Sequence, residues 1–116
     1  MSFKLSDVSN GILTLRLTGE LTVSEEAEYR RAVMELLLQK GDFRLLVILE
    51  GFEGFAAGKW GGPYTKNDDK IDRIAIVGDK KWEDAALMFT GTGLRRAEIE
   101  YFEPKDLSKA SAWLAG

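Results

Sequence analysis

The sequence predicts an α/β fold: a mixed, mostly parallel sheet of about five strands, opened by an antiparallel hairpin, with helices on both faces. Three observations carry the prediction. Two apolar runs, Leu45–Leu49 (LLVIL) and Ile74–Gly78 (IAIVG), are continuous rather than alternating, as in strands covered on both faces. Stretches with apolar residues at helical spacing lie between and after these runs, so strands and helices take turns along the chain. The first apolar segments instead alternate with polar residues on either side of Asn10-Gly11, a pair that tolerates positive φ and marks a hairpin.

Taken in order, Phe3, Leu5 and Val8 form a weak first strand. Ile12, Leu13, Leu15 and Leu17 form a second with a polar face of Thr14, Arg16 and Thr18, which Gly19 is expected to end. Thr22-Val23-Ser24-Glu25 fits a capping box, in which the threonine oxygen accepts from the amide three residues on. The helix behind it runs to about Lys40, with Tyr29, Val33, Leu36 and Leu37 as its apolar stripe. Met34 and Leu38 widen that stripe, as burial on a second side or a dimer contact would require. Glu26 and Arg30 form an i,i+4 pair assigned to the wet face. After the LLVIL strand, Glu50–Lys70 is rich in glycine and aromatic residues, and a single helical turn around Phe55–Lys59 is all it suggests. In Arg73–Trp82 (RIAIVGDKKW) a buried strand ends at glycine and Asp79 caps a helix that runs over about Lys80–Phe89, with Trp82, Ala85, Ala86 and Phe89 on one face. Ala97, Ile99 and Tyr101 alternate with Glu98 and Glu100, as on an edge strand. Pro104 suits the first turn of a last helix, whose core stripe is Leu107, Ala110, Trp113 and Leu114. The order is ββαβ(α)βαβα.

A chain of 116 residues, 45% hydrophobic and 30% charged, has the length and make-up of one globular domain, residues 1–116. A net charge of −3 leaves no basic field to draw nucleic acid or an anionic membrane. Without cysteine there is no disulfide, thiol nucleophile or thiolate metal site. Without histidine the commonest general base and the commonest metal ligand are gone, so the expectation is a non-enzymatic protein with no metal and no cofactor. Met1–Asp7 is short and polar-interrupted, unlike a signal peptide, and no apolar run approaches the ~20 residues that span a bilayer. The location expected is cytoplasmic.

The block RIAIVGDKKW, the strand EIEYF and the closing EPKDLSKASAWL together resemble the SpoIIAA-like (STAS-type) family of small bacterial proteins over Asp72–Leu114. The opening half matches in layout. The resemblance implies a sheet of about five strands with helices on both sides, a fold similar to that of anti-sigma-factor antagonists and CRAL-TRIO lipid-carrier domains, and an apolar ligand pocket. There are two departures. Antagonists of the anti-sigma type carry a phosphorylatable serine just after the central strand, whereas Glu50–Phe55 has no serine or threonine. The family's second helix is long and amphipathic, whereas here it reads as shortened and glycine-rich.

The candidate site rests on Phe52, Phe55, Trp60 and Tyr64, aromatic rings set among glycines at the carboxyl ends of the strands, where open α/β sheets bind ligands. Trp82 faces them, and Lys59 or the amides of Gly78–Lys80 would hold a polar head at a helix N-terminus. The expected ligand is small and apolar or amphipathic, in the manner of a lipid. Two simpler readings stand beside it: the rings close the edge of the core, and Asp79 itself occupies the amides as N-cap. The alternative function is an interaction module, a homodimer or a regulator's partner, without a phosphoserine switch. Gly54–Trp60 lacks the spacing and the hydroxyl residue of a phosphate loop, and Gly91-Thr92-Gly93 is too short for a dinucleotide fingerprint. Asp68, Asp69 and Asp72 lack the pattern of a calcium loop.

Overall fold

The computed structural model describes residues 3–6, 11–40, 43–55, 71–90 and 98–116. Within them the elements are β1 (Phe3–Leu5), β2 (Ile12–Leu21), α1 (Val23–Lys40), β3 (Arg44–Phe55), β4 (Arg73–Val77), α2 (Glu83–Thr90), β5 (Glu98–Phe102) and α3 (Leu107–Ala115). The five described strands form one sheet in the order β1-β2-β3-β4-β5. β1 and β2 pair antiparallel, and every later pair is parallel. Each parallel step moves one strand in the same direction, so right-handed crossovers put α1 and α2 on one face. The packing agrees. Tyr29, Val33 and Leu36 of α1 and Ala86 of α2 join Leu13, Leu15, Val47, Leu49, Ile74 and Ile76 in the larger core. α3 covers the other face, where Ala110 and Leu114 meet Leu46, Ala75 and Val77. Helices on both faces therefore hold, and β5 is the edge strand its alternation suggests. Val8, Asn10 and Ala97 lie outside the described residues.

Local chemistry sets the helix boundaries. The Glu25 amide donates to Thr22 Oγ1 at 3.2 Å, and the Thr22 hydroxyl donates in turn to Glu25 Oε1 at 2.8 Å. Two groups at the start of α1 are thus satisfied by the Thr22–Glu25 pair. Phe3 packs edge-on against Tyr29 with ring centroids 5.8 Å apart, which ties β1 to α1. A 3-10 turn, Pro104–Asp106, leads into α3 as the proline predicts.

Four expectations are corrected. Gly19 does not end β2. It sits at φ +65° beside a register shift, and the strand continues to Leu21. Likewise β3 does not stop at Leu49. It runs to Phe55, with Gly51 at φ +61° and Gly54 at φ +120° absorbing the same irregularity. Part of the glycine-rich segment is therefore a bulged ribbon in which Gly19 pairs with Phe52 and Leu21 with Phe55. Glu26 is not on the wet face: it is 8% exposed, and its Arg30 partner stands 3.4 Å away. Helical spacing gives a residue's direction but not how far neighbouring elements wrap round it. Finally Leu107 is 40% exposed and takes no part in the α3 stripe, whereas Ala110 and Leu114 are fully buried. On α1, Met34 packs against the core while Leu38 stands 67% exposed.

Candidate functional site at the carboxyl ends of the strands

The carboxyl ends of β3, β4 and β5 converge on Trp82. Phe52, on the bulged end of β3, is 7% exposed and meets Trp82 edge-on, with ring centroids 5.2 Å apart. Gly54, two residues on, lies under the same indole: a Cβ built there would stand 3.1 Å from Trp82 Cη2. Glycine is needed here twice over, for its φ of +120° and for the approach of the ring. Trp82 is half-buried, and Lys81 Nζ sits 5.6 Å from its ring centroid. The site thus has an aromatic floor, a backbone window without a side chain, and a partly exposed indole over both.

A tight joint holds Trp82 in place. Gly78 is buried, and a Cβ there would come within 2.7 Å of Tyr101 Oη and 2.9 Å of Leu49 Cβ. The Tyr101 hydroxyl donates to the Asp79 carbonyl at 2.7 Å, and the Trp82 amide donates to the same carbonyl at 3.0 Å. Burial, and after it the carboxylates of Asp79 and Glu83, push the Tyr101 phenol up to about 12, so it stays a hydrogen-bond donor at neutral pH. The Asp79 side chain accepts from the Lys81 amide at 3.0 Å, as its capping role requires. The Gly78 amide donates to the Phe102 carbonyl at 3.0 Å and so belongs to the sheet. Gly78 enters the site through its missing side chain rather than through its amide.

Of the predicted site residues, the structure brings Phe52 and Trp82 together; Gly78 packs against Tyr101 and Leu49, and Lys80 stands exposed in the 3-10 turn Lys80–Trp82. Phe55 ends β3, and its backbone pairs with Leu21. Lys59, Trp60 and Tyr64 lie outside the described residues. Sequence reasoning missed Tyr101 and the Gly54–Trp82 contact. Tyr101 has a local signal only as one apolar position of an alternating strand, and the glycine contact joins residues far apart in the chain. Among the described residues no group of acidic side chains could hold a metal ion, and no helix is long and apolar enough to cross a membrane.

A family model described as SpoIIAA-like matches residues 12–115. The chain is similar to the crystal structure of an uncharacterised protein with a SpoIIAA-like fold from Shewanella loihica, at 15% identity and a TM-score of 0.63, over 97% of this chain and 91% of that one. It is similar to the same degree, with a TM-score of 0.63 at 10% identity and 96% coverage of both chains, to the anti-sigma factor antagonist SpoIIAA in its unphosphorylated form. No curated protein matches it by sequence. At such identities the two structures speak for the fold alone.

Proposed function

The chain belongs to the SpoIIAA-like family, and from that premise we propose that it is a non-enzymatic domain that binds a small apolar or amphipathic, lipid-like ligand at the carboxyl ends of its strands. The observation that carries the proposal is the half-exposed Trp82 indole over Phe52 and the side-chain-free backbone of Gly54. The exposed part of the Trp82 indole, backed by Phe52 and seated on Gly54, suits an apolar body because it offers contact area with few polar groups to desolvate. Lys59 or the amides of Gly78–Lys80 are assigned to a polar head, the Gly78 amide itself being taken by the Phe102 carbonyl. A catalytic role has little support in a chain without histidine or cysteine.

Native mass spectrometry of protein purified without detergent, followed by solvent extraction, tests the proposal. A bound apolar species that is lost in Trp82→Ala supports it. An empty wild-type protein that also fails to take up added fatty acids or alcohols overturns it.

A second reading, an interaction module acting as a homodimer or on a partner, is favoured by Leu38, which projects 67% exposed from α1. Because β3 runs to Phe55, the Glu50–Phe55 stretch lies within the strand rather than after it. The next residues, Ala56–Trp60, also lack a hydroxyl side chain, so this module would work without a phosphoserine switch there. Light scattering decides: a dimer converted to monomer by Leu38→Asp favours this reading, and a monomeric wild type removes its homodimer form.

A further inference from the structure

At the opposite end of the sheet, the amino ends of the parallel strands border a second, chemically different hollow. It is a cavity of about 450 Å³ lined by Gly11, Ile12, Phe43, Arg44, Asp72 and the last turn of α3. That volume lies within the ~300–1,000 Å³ range of small-ligand sites. Its polar groups can be counted. The Arg44 guanidinium donates through Nε to Asp72 Oδ1 at 3.2 Å and through one terminal nitrogen to Oδ2 at 3.4 Å. The other terminal nitrogen donates to the carbonyls of Leu114 and Gly116. Of the roughly five N–H groups a guanidinium carries, about one is left. Asp72 uses two of its roughly four acceptor positions, and its side chain is 64% exposed against 26% for Arg44.

The balance is therefore rich in acceptors. At the C-terminal end of α3 the carbonyls of Leu114 and Gly116 accept from Arg44 and that of Trp113 from Arg73, so the spare acceptor positions facing the hollow are those of Asp72. Ile12 and Phe43 supply an apolar wall, and a Cβ at Gly11 would meet nothing within 4 Å, so that side is open.

The geometry points to a second ligand site here, one for a small organic cation: a primary ammonium group on a short apolar body. The ammonium donates to the outward edge of the Asp72 carboxylate. Arg44, on the other edge, keeps that carboxylate in place and is itself neutralised by it. The apolar body lies along Ile12 and Phe43. A carboxylate ligand is disfavoured, since among the described side chains lining the hollow its donor would be the remaining N–H of Arg44 and it would face the Asp72 carboxylate. With the ion pair open to water, the dissociation constant is on the order of a millimolar. The site does not depend on the Trp82 end of the sheet.

Titration of the ¹⁵N-labelled full chain with hexylamine, hexanoate and hexanol, read by amide chemical shifts, tests the assignment. Hexylamine is expected to shift Gly11, Ile12, Arg44 and Asp72 saturably, with hexanoate and hexanol at least about fivefold weaker. Asp72→Asn is expected to weaken hexylamine by a similar factor. If that variant does not fold, the contrast between amine and carboxylate on the wild type still decides. Hexanoate binding there as tightly as hexylamine, an Asp72→Asn variant with unchanged affinity, or no saturable shift at these amides overturns the proposal.

Discussion

Adding one methyl group at Gly78 should damage the joint that carries Trp82. The backbone at this position is not in the left-handed region, so the cost of Gly78→Ala is steric. The new Cβ would lie 2.7 Å from Tyr101 Oη and 2.9 Å from Leu49 Cβ and Cδ1. Ordinary contact needs roughly 3.5 Å or more, so these groups must yield by about 0.6–0.8 Å in a packed interior. Overpacking of that kind costs about 1–3 kcal/mol. Displacing Tyr101 also breaks its 2.7 Å bond to the Asp79 carbonyl, which adds about 1 kcal/mol. The expected loss is about 2–4 kcal/mol. Tyr101→Phe alone should cost about 1 kcal/mol. It also removes the oxygen that the alanine strikes, while Leu49 still obstructs, so the double variant should be more stable than the sum of the two losses predicts by about 1 kcal/mol. Urea unfolding at pH 7, followed by far-ultraviolet circular dichroism, measures all four proteins. A Gly78→Ala variant within about 0.5 kcal/mol of wild type, or strict additivity in the double variant, would refute the joint as described.

Other consequences concern α1 and titration. Burial raises the Glu26 carboxyl above its ordinary value, and the attraction of Arg30 offsets this only in part. A raised folded-state value means that the protonated form suits the fold: the favourable contribution is present below the unfolded carboxylate range and lost as pH rises through the folded value. Glu26→Gln should therefore unfold at a higher temperature than wild type at pH 7, and the gap should narrow toward pH 4; a gap that widens on acidification would contradict the burial argument. Thr22→Ala should lower stability by about 1 kcal/mol in urea titration, with Thr22→Ser close to wild type, because the cap needs a hydroxyl. Tyr101 should ionise above the ordinary tyrosine range in a spectrophotometric titration, near 12. Its neutral form contributes stability that is complete below pH ~10 and fades as pH rises toward the folded value.

What the sequence disclosed was local. The Thr22 cap, the Asp79 cap, the proline start of the last helix and the two buried apolar runs each rest on chemistry within a few residues, and each is found where the pattern places it. What it concealed depends on register. Gly19, Gly51 and Gly54 look like loop residues because positive φ serves a turn and a bulge equally well, and only the pairing of β2 with β3 separates the two. Glu26 and Leu107 escape a reading by pattern for a related reason: a helical stripe gives an azimuth, while depth is set by the elements packed against it. At the site, Trp82 was legible as a buried-face aromatic, but its contacts with Phe52 and Gly54 join a bulge to a crossover some thirty residues away in the chain. The Arg44–Asp72 pair at the far end spans a similar gap and left no motif.

The central claim is that the carboxyl ends of the strands receive an apolar ligand beside Trp82. The most direct measurement is the indole N–H signal of Trp82, together with the Gly54 amide, in a ¹⁵N spectrum during titration with lauric acid below its critical micelle concentration. Saturable shifts of both signals, with the Gly54 shift abolished in Trp82→Ala, are the predicted result. Signals at Trp82 and Gly54 that stay fixed while the ligand either fails to bind or shifts only the exposed face of α1 around Leu38 would contradict it.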